Sequence, residues 1–327
     1  MKTLTPKRWI STHLLLGLLT TLILIIATGI GPTLFWPFGN LSEEASTILW
    51  TTRLPRVLLA ALAGYTLGVT GTSFQGLLQN SLADPYILGV SSGAALGSIV
   101  GIAFGLPFSF IPLISFGGAL AAMLVVYGVA STQKQVTPHT LLLTGVVLNA
   151  FLFAFILLLN GLMSFEQSQK VLLLLIGNLE TESFSRIGFV SLFVLMGTIL
   201  LTREGHILNL LSAGSDTATS LGIDTHKHRR LIFFAASLMI GAIIPLTGLI
   251  GFVGLFVPHI TRFILGTDHR LSIPAAGWIG AMILVICDTI ARTAFSLTSF
   301  QTELPVGAIT AFLGAPFFLY LLKRRTT

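Results

Sequence analysis

The chain alternates long apolar runs with short polar breaks. From Arg53 to Gly105 two apolar runs flank the break Gln79-Asn80-Ser81-Leu82-Ala83-Asp84-Pro85. The spacing predicts one membrane helix ending near Gln79 and a second over about Pro85 to Gly105. Gly64, Gly68 and Gly71 recur at helical spacing on the first, and Gly93, Gly97, Gly101 and Gly105 recur every four residues on the second. Helices in lipid gain little by burying apolar area against one another, so close backbone approach across small residues has to hold them together. A packed glycine interface is therefore expected here.

The remaining runs extend the pattern. Lys2, Lys7 and Arg8 precede a run from about Trp9 to Ile30, longer than the roughly 7–15 residues of a signal-peptide core, so a retained first helix is expected. Pro32, Trp36 and Pro37 mark its far interface. A helix starts between Asn40 and Trp50: Ser42 caps it and Glu43 and Glu44 complement the dipole of the first turn. Pro55 predicts a bend within that second span. Further spans are expected at about 111–130, from Pro138 to about Asn160, and at 186–201, 231–250, 251–266, 271–295 and 305–322. Val171 to Ile176 is apolar but too short to cross about 30 Å of hydrocarbon, and reads as an interfacial or re-entrant helix. The total is about ten spans in one all-α transmembrane domain over residues 1–327. The longest polar stretch runs from Thr202 to Arg230.

Composition agrees. The chain is 54% hydrophobic and 9% charged, against roughly 25% charged for a soluble domain. The net charge of +6 does not imply nucleic acid, because the basic residues lie between spans. With ten spans, thirteen of the 18 Lys and Arg residues fall on the side of the termini, Lys134 among them. Arg53, Arg56, Lys170, Arg186 and Arg292 fall on the other. Thirteen against five orients both termini to the cytoplasm. Cys287 is the one cysteine, so no disulfide framework or Cys-x-x-Cys metal site is available.

Little in the chain suggests catalysis. No Gly-Lys pair occurs, so the phosphate-binding loop of P-loop ATPases is absent. His226 and His228 would point apart on a helix and read as part of a solvated basic cluster with Lys227, Arg229 and Arg230. Asp288 is the acid expected inside a span, with Arg292 four residues on as its partner. Thr70, Ser73, Gln75, Asn149 and Asn160 would either wet a pathway or bond neighbouring helices. Asp84 to Gly89 and Asp216 to Gly222 are loosely alike, as in an inverted or duplicated architecture. On residues alone, an ion-coupled secondary transporter is the rival to any other carrier, although it would want ionisable groups near the midplane.

The motif blocks narrow this. Arg-Leu-Pro-Arg at 53–56, Gln75-Gly76 through Asn80, Leu82-Ala83-Asp84-Pro85 and Gly89, the Gly251–Leu255 and Pro258–Arg262 blocks, Asp288–Arg292, and Glu303–Gly307 leading to Gly314–Phe318 follow in order. The sequence resembles the FecCD-type permease subunits of ABC importers for iron chelates, haem and cobalamin. Ser81 departs from the family's usual proline. The resemblance implies the type II importer permease fold, a bacterial or archaeal inner membrane, and no catalyst in this chain. ATP and magnesium would be bound by a partner ATPase. It further implies a homodimer in membrane lipid, two ATPase subunits, and a periplasmic or lipid-anchored substrate-binding protein. A cytoplasmic segment at about 215–230 would couple to the ATPase through Ala218, Ser220, Leu221 and Gly222, with Asp224 nearby. Asn80, Ser81 and Leu82 would form the cytoplasmic gate with Pro138 and His139, which themselves depart from the family's small polar residues. Arg53, Arg56 and Arg292 would dock the binding protein outside.

Overall fold

The computed structural model describes residues 5–31, 37, 39, 42–107, 109–131, 137–295 and 303–325. Pro32, Trp36 and Asn40, read above as interface and helix-start positions, lie outside the described residues, as do Lys2 and Lys134 of the charge count.

The described chain is helical. Its elements are α1 (Pro6–Gly29), α2 (Glu43–Ile48), α3 (Leu54–Leu77), α4 (Val90–Ala103), α5 (Ile111–Ser131), α6 (Pro138–Asn160) and α7 (Phe165–Ile176). They continue with α8 (Phe184–Arg203), α9 (Gly205–Ser212), α10 (Ser215–Ser220), α11 (Thr225–Thr247), α12 (Val253–Leu265), α13 (His269–Thr293) and α14 (Val306–Arg325). Among the described residues seven helices are long and apolar enough to cross a membrane, α2 and α3 counting as one, and α4, α12 and α14 are shorter apolar helices. Together these match the expected count of about ten.

Local chemistry sets the boundaries. Ser42 accepts from the Ala45 amide and starts α2, with Glu43 and Glu44 in the first turn. Leu49–Arg53 forms a π-helical turn just before Pro55, and the Leu54 amide bonds back to Leu49. The wide turn takes up the disruption that a proline without an amide hydrogen brings, so α2 and α3 join as one span. The third span starts later than its apolar run. Asp84 caps a 3-10 turn at Pro85–Leu88 by accepting from the Tyr86 amide, and Gly89 turns left-handed at φ 78° before α4 begins. The short helix α7 is longer than the apolar run that revealed it, because Ser164 and Gln167 form a capping box at its start. Its end is held by backbone bonds to other segments: Asn178 N–H to Thr247 O at 3.1 Å, Leu249 N–H to Leu174 O at 2.9 Å and Gly307 N–H to Gly177 O at 3.0 Å. Non-helical backbone among membrane helices is tolerated where protein partners satisfy it, as they do here.

The glycine faces pack as the spacing predicts. A Cβ built on Gly64 would lie 2.2 Å from the carbonyl oxygen of Gly280, and one on Gly68 would lie 2.1 Å from that of Ala276. Helices α3 and α13 therefore run antiparallel with their backbones in contact. Gly93 and Gly97 on α4 meet Gly118 and Ile114 on α5 in the same way.

Two ends of the bundle follow. At the basic end, the Arg8 guanidinium donates to Leu265 O at 3.1 Å and the Trp9 indole to Arg270 O at 3.2 Å. The 78–84 loop, α9, α10 and the start of α11 share this end. At the opposite end α1 and α13 finish side by side. The helix directions put the described basic residues at the ends that the charge count expected.

Candidate coupling and gating site

The break after α3 is a braced loop. At its root the Gln75 amide is buried and donates to Ala83 O at 3.3 Å and Leu255 O at 3.1 Å, while its oxygen accepts from Arg262 Nη2 at 2.7 Å. His259 Nε2 donates to Ser81 O at 2.8 Å. The Asn80 side chain accepts from the Leu82 amide at 2.9 Å, closing an Asx turn. Beyond it, the Tyr86 hydroxyl accepts from the Ile250 amide at 3.1 Å. One side chain is left over: Leu82 is 43% exposed. Burial pushes the Asp84 carboxyl up to about 6, against the pull of the Tyr86 amide. The same burial, with the nearby Asp84 charge, pushes the Tyr86 phenol up.

The second expected gate segment sits at the start of α6. Thr137 and Thr140 form a capping box there, Pro138 occupies the first turn and His139 is exposed. The 3-10 turn at Pro85–Leu88 packs on α6, where a Cβ on Gly145 would lie 2.7 Å from Leu88 Cα. Both segments are thus linked through one short turn.

The polar stretch before α11 folds into α9 and α10. Helix α9 is tethered to the start of α13. Asn209 Nδ2 donates to Asp268 Oδ1 at 2.8 Å, and Asn209 Oδ1 accepts from the His269 amide at 2.9 Å. The Arg270 guanidinium beside it, with Asn209 assisting, holds the Asp268 carboxyl down at about 2. His228 Nδ1 lies 2.6 Å from Glu204 Oε2, tying α11 to the α8–α9 corner. Helix α10 ends in a Schellman turn: Ile223 N–H bonds Ala218 O at 3.2 Å, Gly222 N–H bonds Thr219 O at 2.9 Å, and Gly222 has φ 79°. Asp224 then caps α11 by accepting from the Lys227 amide, a bond that lowers its carboxyl.

This geometry divides the expected coupling residues. Ala218 is fully buried and anchors the turn from beneath. Ser220, Leu221, Gly222 and Asp224 face outward, and Leu221 is 62% exposed, a large apolar side chain at the tip of a polar hairpin.

The three arginines expected at a docking surface turn inward instead. Arg53, Arg56 and Arg292 are 5%, 7% and 6% exposed. Arg56 Nε donates to Asp288 Oδ1 at 2.9 Å and its Nη1 to the Glu303 carboxylate. Arg292 Nε lies 3.0 Å from Asp288 Oδ2. Arg292 also donates to Ala27 O and Ile30 O, and Arg53 to Thr28 O and Gly29 O. Those four carbonyls are the orphan acceptors at the end of α1, where a cation is stabilised by the helix dipole. Asp288 thus has the structural role and the Arg292 partner expected of it, with Arg56 as a second. Gln75 bonds across elements, as does Asn149, whose side-chain oxygen accepts from Ser92 Oγ; Thr70 and Ser73 bond to their own helix. Sequence reasoning missed His259, Arg262 and Asn209 as residues that brace these segments. His259 and Arg262 lay within a quoted motif block, but their direction toward the loop had no sequence signal.

The description of the FecCD transport family matches residues 14–324. The chain belongs to the FecCD transport family. Among FecCD relatives, the cobalamin import system permease BtuC of Halobacterium salinarum is 38% identical, covering 86% of this chain and 75% of its own. The hemin transport system permease HmuU of Yersinia pestis is 36% identical over 97% of both chains. A solved inward-facing ABC transporter of proposed metal-chelate type superposes with a TM-score of 0.87 at 27% identity, covering 98% of this chain and all of that one. The FecCD chain is thus a membrane-embedded ABC importer permease subunit, not an enzyme; ATP is hydrolysed by separate subunits.

Proposed function

We propose that this subunit imports a metal chelate, a ferric siderophore, cobalamin or haem, by ATP-driven alternating access. Two copies form the pathway, two ATPase subunits hold ATP and magnesium, and a binding protein delivers the chelate from outside. The basic end faces the cytoplasm, with both termini. The observation that carries the reading is the pairing, at one end of the bundle, of an exposed Leu221 on the α9–α10 hairpin with a braced loop that presents Leu82. Leu221, with Ser220, Gly222 and Asp224 around it, offers a small knob for a groove on the ATPase. The loop at 80–82, with Pro138 and His139, closes the cytoplasmic exit. The binding protein meets the opposite end, where Glu43, Glu44, Glu166, Glu180 and Glu303 are the exposed acids and the arginines lie beneath.

Purified with its ATPase in lipid nanodiscs, the complex should hydrolyse ATP faster when the binding protein is added loaded with one of the three chelates in turn. Turnover indifferent to every loaded binding protein contradicts the proposal.

A further inference from the structure

We infer that Gln79 is a positioning residue that carries movement of the α9–α10 hairpin into the gate loop. The inference rests on the coupling and gating roles proposed above.

Helix α3 ends in a Schellman turn like that of α10. The Asn80 amide bonds Gln75 O at 3.1 Å and the Gln79 amide bonds Gly76 O at 3.3 Å. The position after the cap in such a turn is left-handed and favours glycine. At the end of α10 that position holds Gly222, but at the end of α3 it holds Gln79, at φ 50°. A glutamine there carries backbone strain that a glycine would avoid. Burial does not explain it, because Gln79 is an exposed residue. Its side chain does have a partner: Gln79 Nε2 donates to the carbonyl of Leu211 in the last turn of α9.

That bond crosses between the two proposed working parts. Leu211 is buried and sits one turn before α10. Asn80, Ser81 and Leu82 follow Gln79 directly. Gln75, one turn earlier, is held by Arg262 at 2.7 Å, which fixes the root of the loop to α12. A shift of α9 therefore pulls on the loop just past its fixed root, where Gln79 is the lever. The left-handed backbone aims the side chain at α9.

The strain supplies a clean test. Gln79→Gly keeps the left-handed turn without cost and removes the side chain. Gln79→Asn tolerates φ above zero but is one methylene too short to reach. Cys287 is 2% exposed, so nitroxides can be placed at Leu82→Cys and, on the exposed end of α9, at Ser212→Cys. In the complex with its ATPase, both labels should change mobility between the nucleotide-free state and the state trapped with Mg-ATP and vanadate. In Gln79→Gly and Gln79→Asn the Ser212 label should still respond and the Leu82 response should be lost. ATP hydrolysis should continue, and the Gly variant should melt no lower than the parent. A Leu82 response that survives in both variants overturns the inference. So does a lowered melting temperature with both responses lost, which marks a merely structural bond. If the Ser212 label is silent in the unaltered complex, the coupling role itself is wrong and this inference falls with it.

Discussion

Arg56 Nε stands 2.9 Å from Oδ1 of Asp288, a carboxylate with no exposed surface, and Arg292 stands 3.0 Å from its other oxygen. One acid thus serves two arginines from two helices, α3 and α13. Glu303 offsets part of the remaining charge and the carbonyls at the end of α1 take the rest. The cluster is a three-helix clasp, and what breaks it is removal of the shared acid. Asp288→Asn should destabilise the folded protein by about 3–5 kcal/mol, the usual cost of stranding a buried charge. Thermal unfolding in detergent checks this. A variant as stable as the parent would show that the arginines reach solvent and are free to dock a partner.

Gly64 and Gly280 make a second sharp prediction. Each lacks room for a Cβ because the other's carbonyl oxygen would lie 2.2 Å away. Backbone faces backbone, so no side chain can swing aside. Gly64→Val should abolish the monodisperse folded protein in size-exclusion chromatography. Gly128→Val on α5 is the control, since nothing lies within 4 Å of its added Cβ. It should express and elute as the parent does.

The glycine faces and the span count were legible, because each depends on spacing along one helix. The arginines show where that ends. Sidedness places Arg53, Arg56 and Arg292 at the right end of the bundle, but nothing in the sequence says that α1 finishes beside them. Without those carbonyls, an outward docking role was the natural reading. Gln79 was hidden for a similar reason. Its backbone angle and its partner 132 positions away leave no trace in local composition, whereas Gly222 and Asp224 announce their turn and cap. The late start of α4 had a visible cause in Asp84-Pro85 and Gly89, yet the apolar run from Pro85 reads straight through the 3-10 turn.

The α10 hairpin should separate stability from coupling. Leu221 is exposed, so Leu221→Asp should leave the melting temperature of the isolated permease unchanged. It should sharply weaken co-purification of the ATPase. Gly222→Pro, in contrast, would force φ 79° to a value near −65° and should damage the hairpin itself. Melting curves set beside pull-downs distinguish the two. Retention of the ATPase by the Leu221→Asp protein at full level would remove Leu221 from the interface.

Asp84 gives a pH dependence with a definite sign. Its carboxyl is raised from 3.8 to about 6 in the fold, so folding favours its neutral form. Its contribution is fully present below the unfolded value and is lost as pH rises through about 6. The carboxyl's own bond is from the Tyr86 amide; Arg262 and His259 on α12 brace the loop through Gln75 and Ser81 O instead. Asp84→Asn keeps a capping side chain and removes the titration. The variant should melt higher than the parent at pH 7.5 and match it near pH 4.5. A constant difference between the two across that range would rule out titration of Asp84 as the cause.

On the function proposed above, this chain is the membrane path of an ATP-driven importer. Proteoliposomes holding the chain and its ATPase, with ATP sealed inside and the loaded binding protein outside, test it directly. Uptake of ferric siderophore, cobalamin or haem should require all three components, stop with vanadate, and persist when an ionophore collapses ion gradients. Uptake by the chain alone that an ionophore abolishes would contradict the account and make it an ion-coupled carrier.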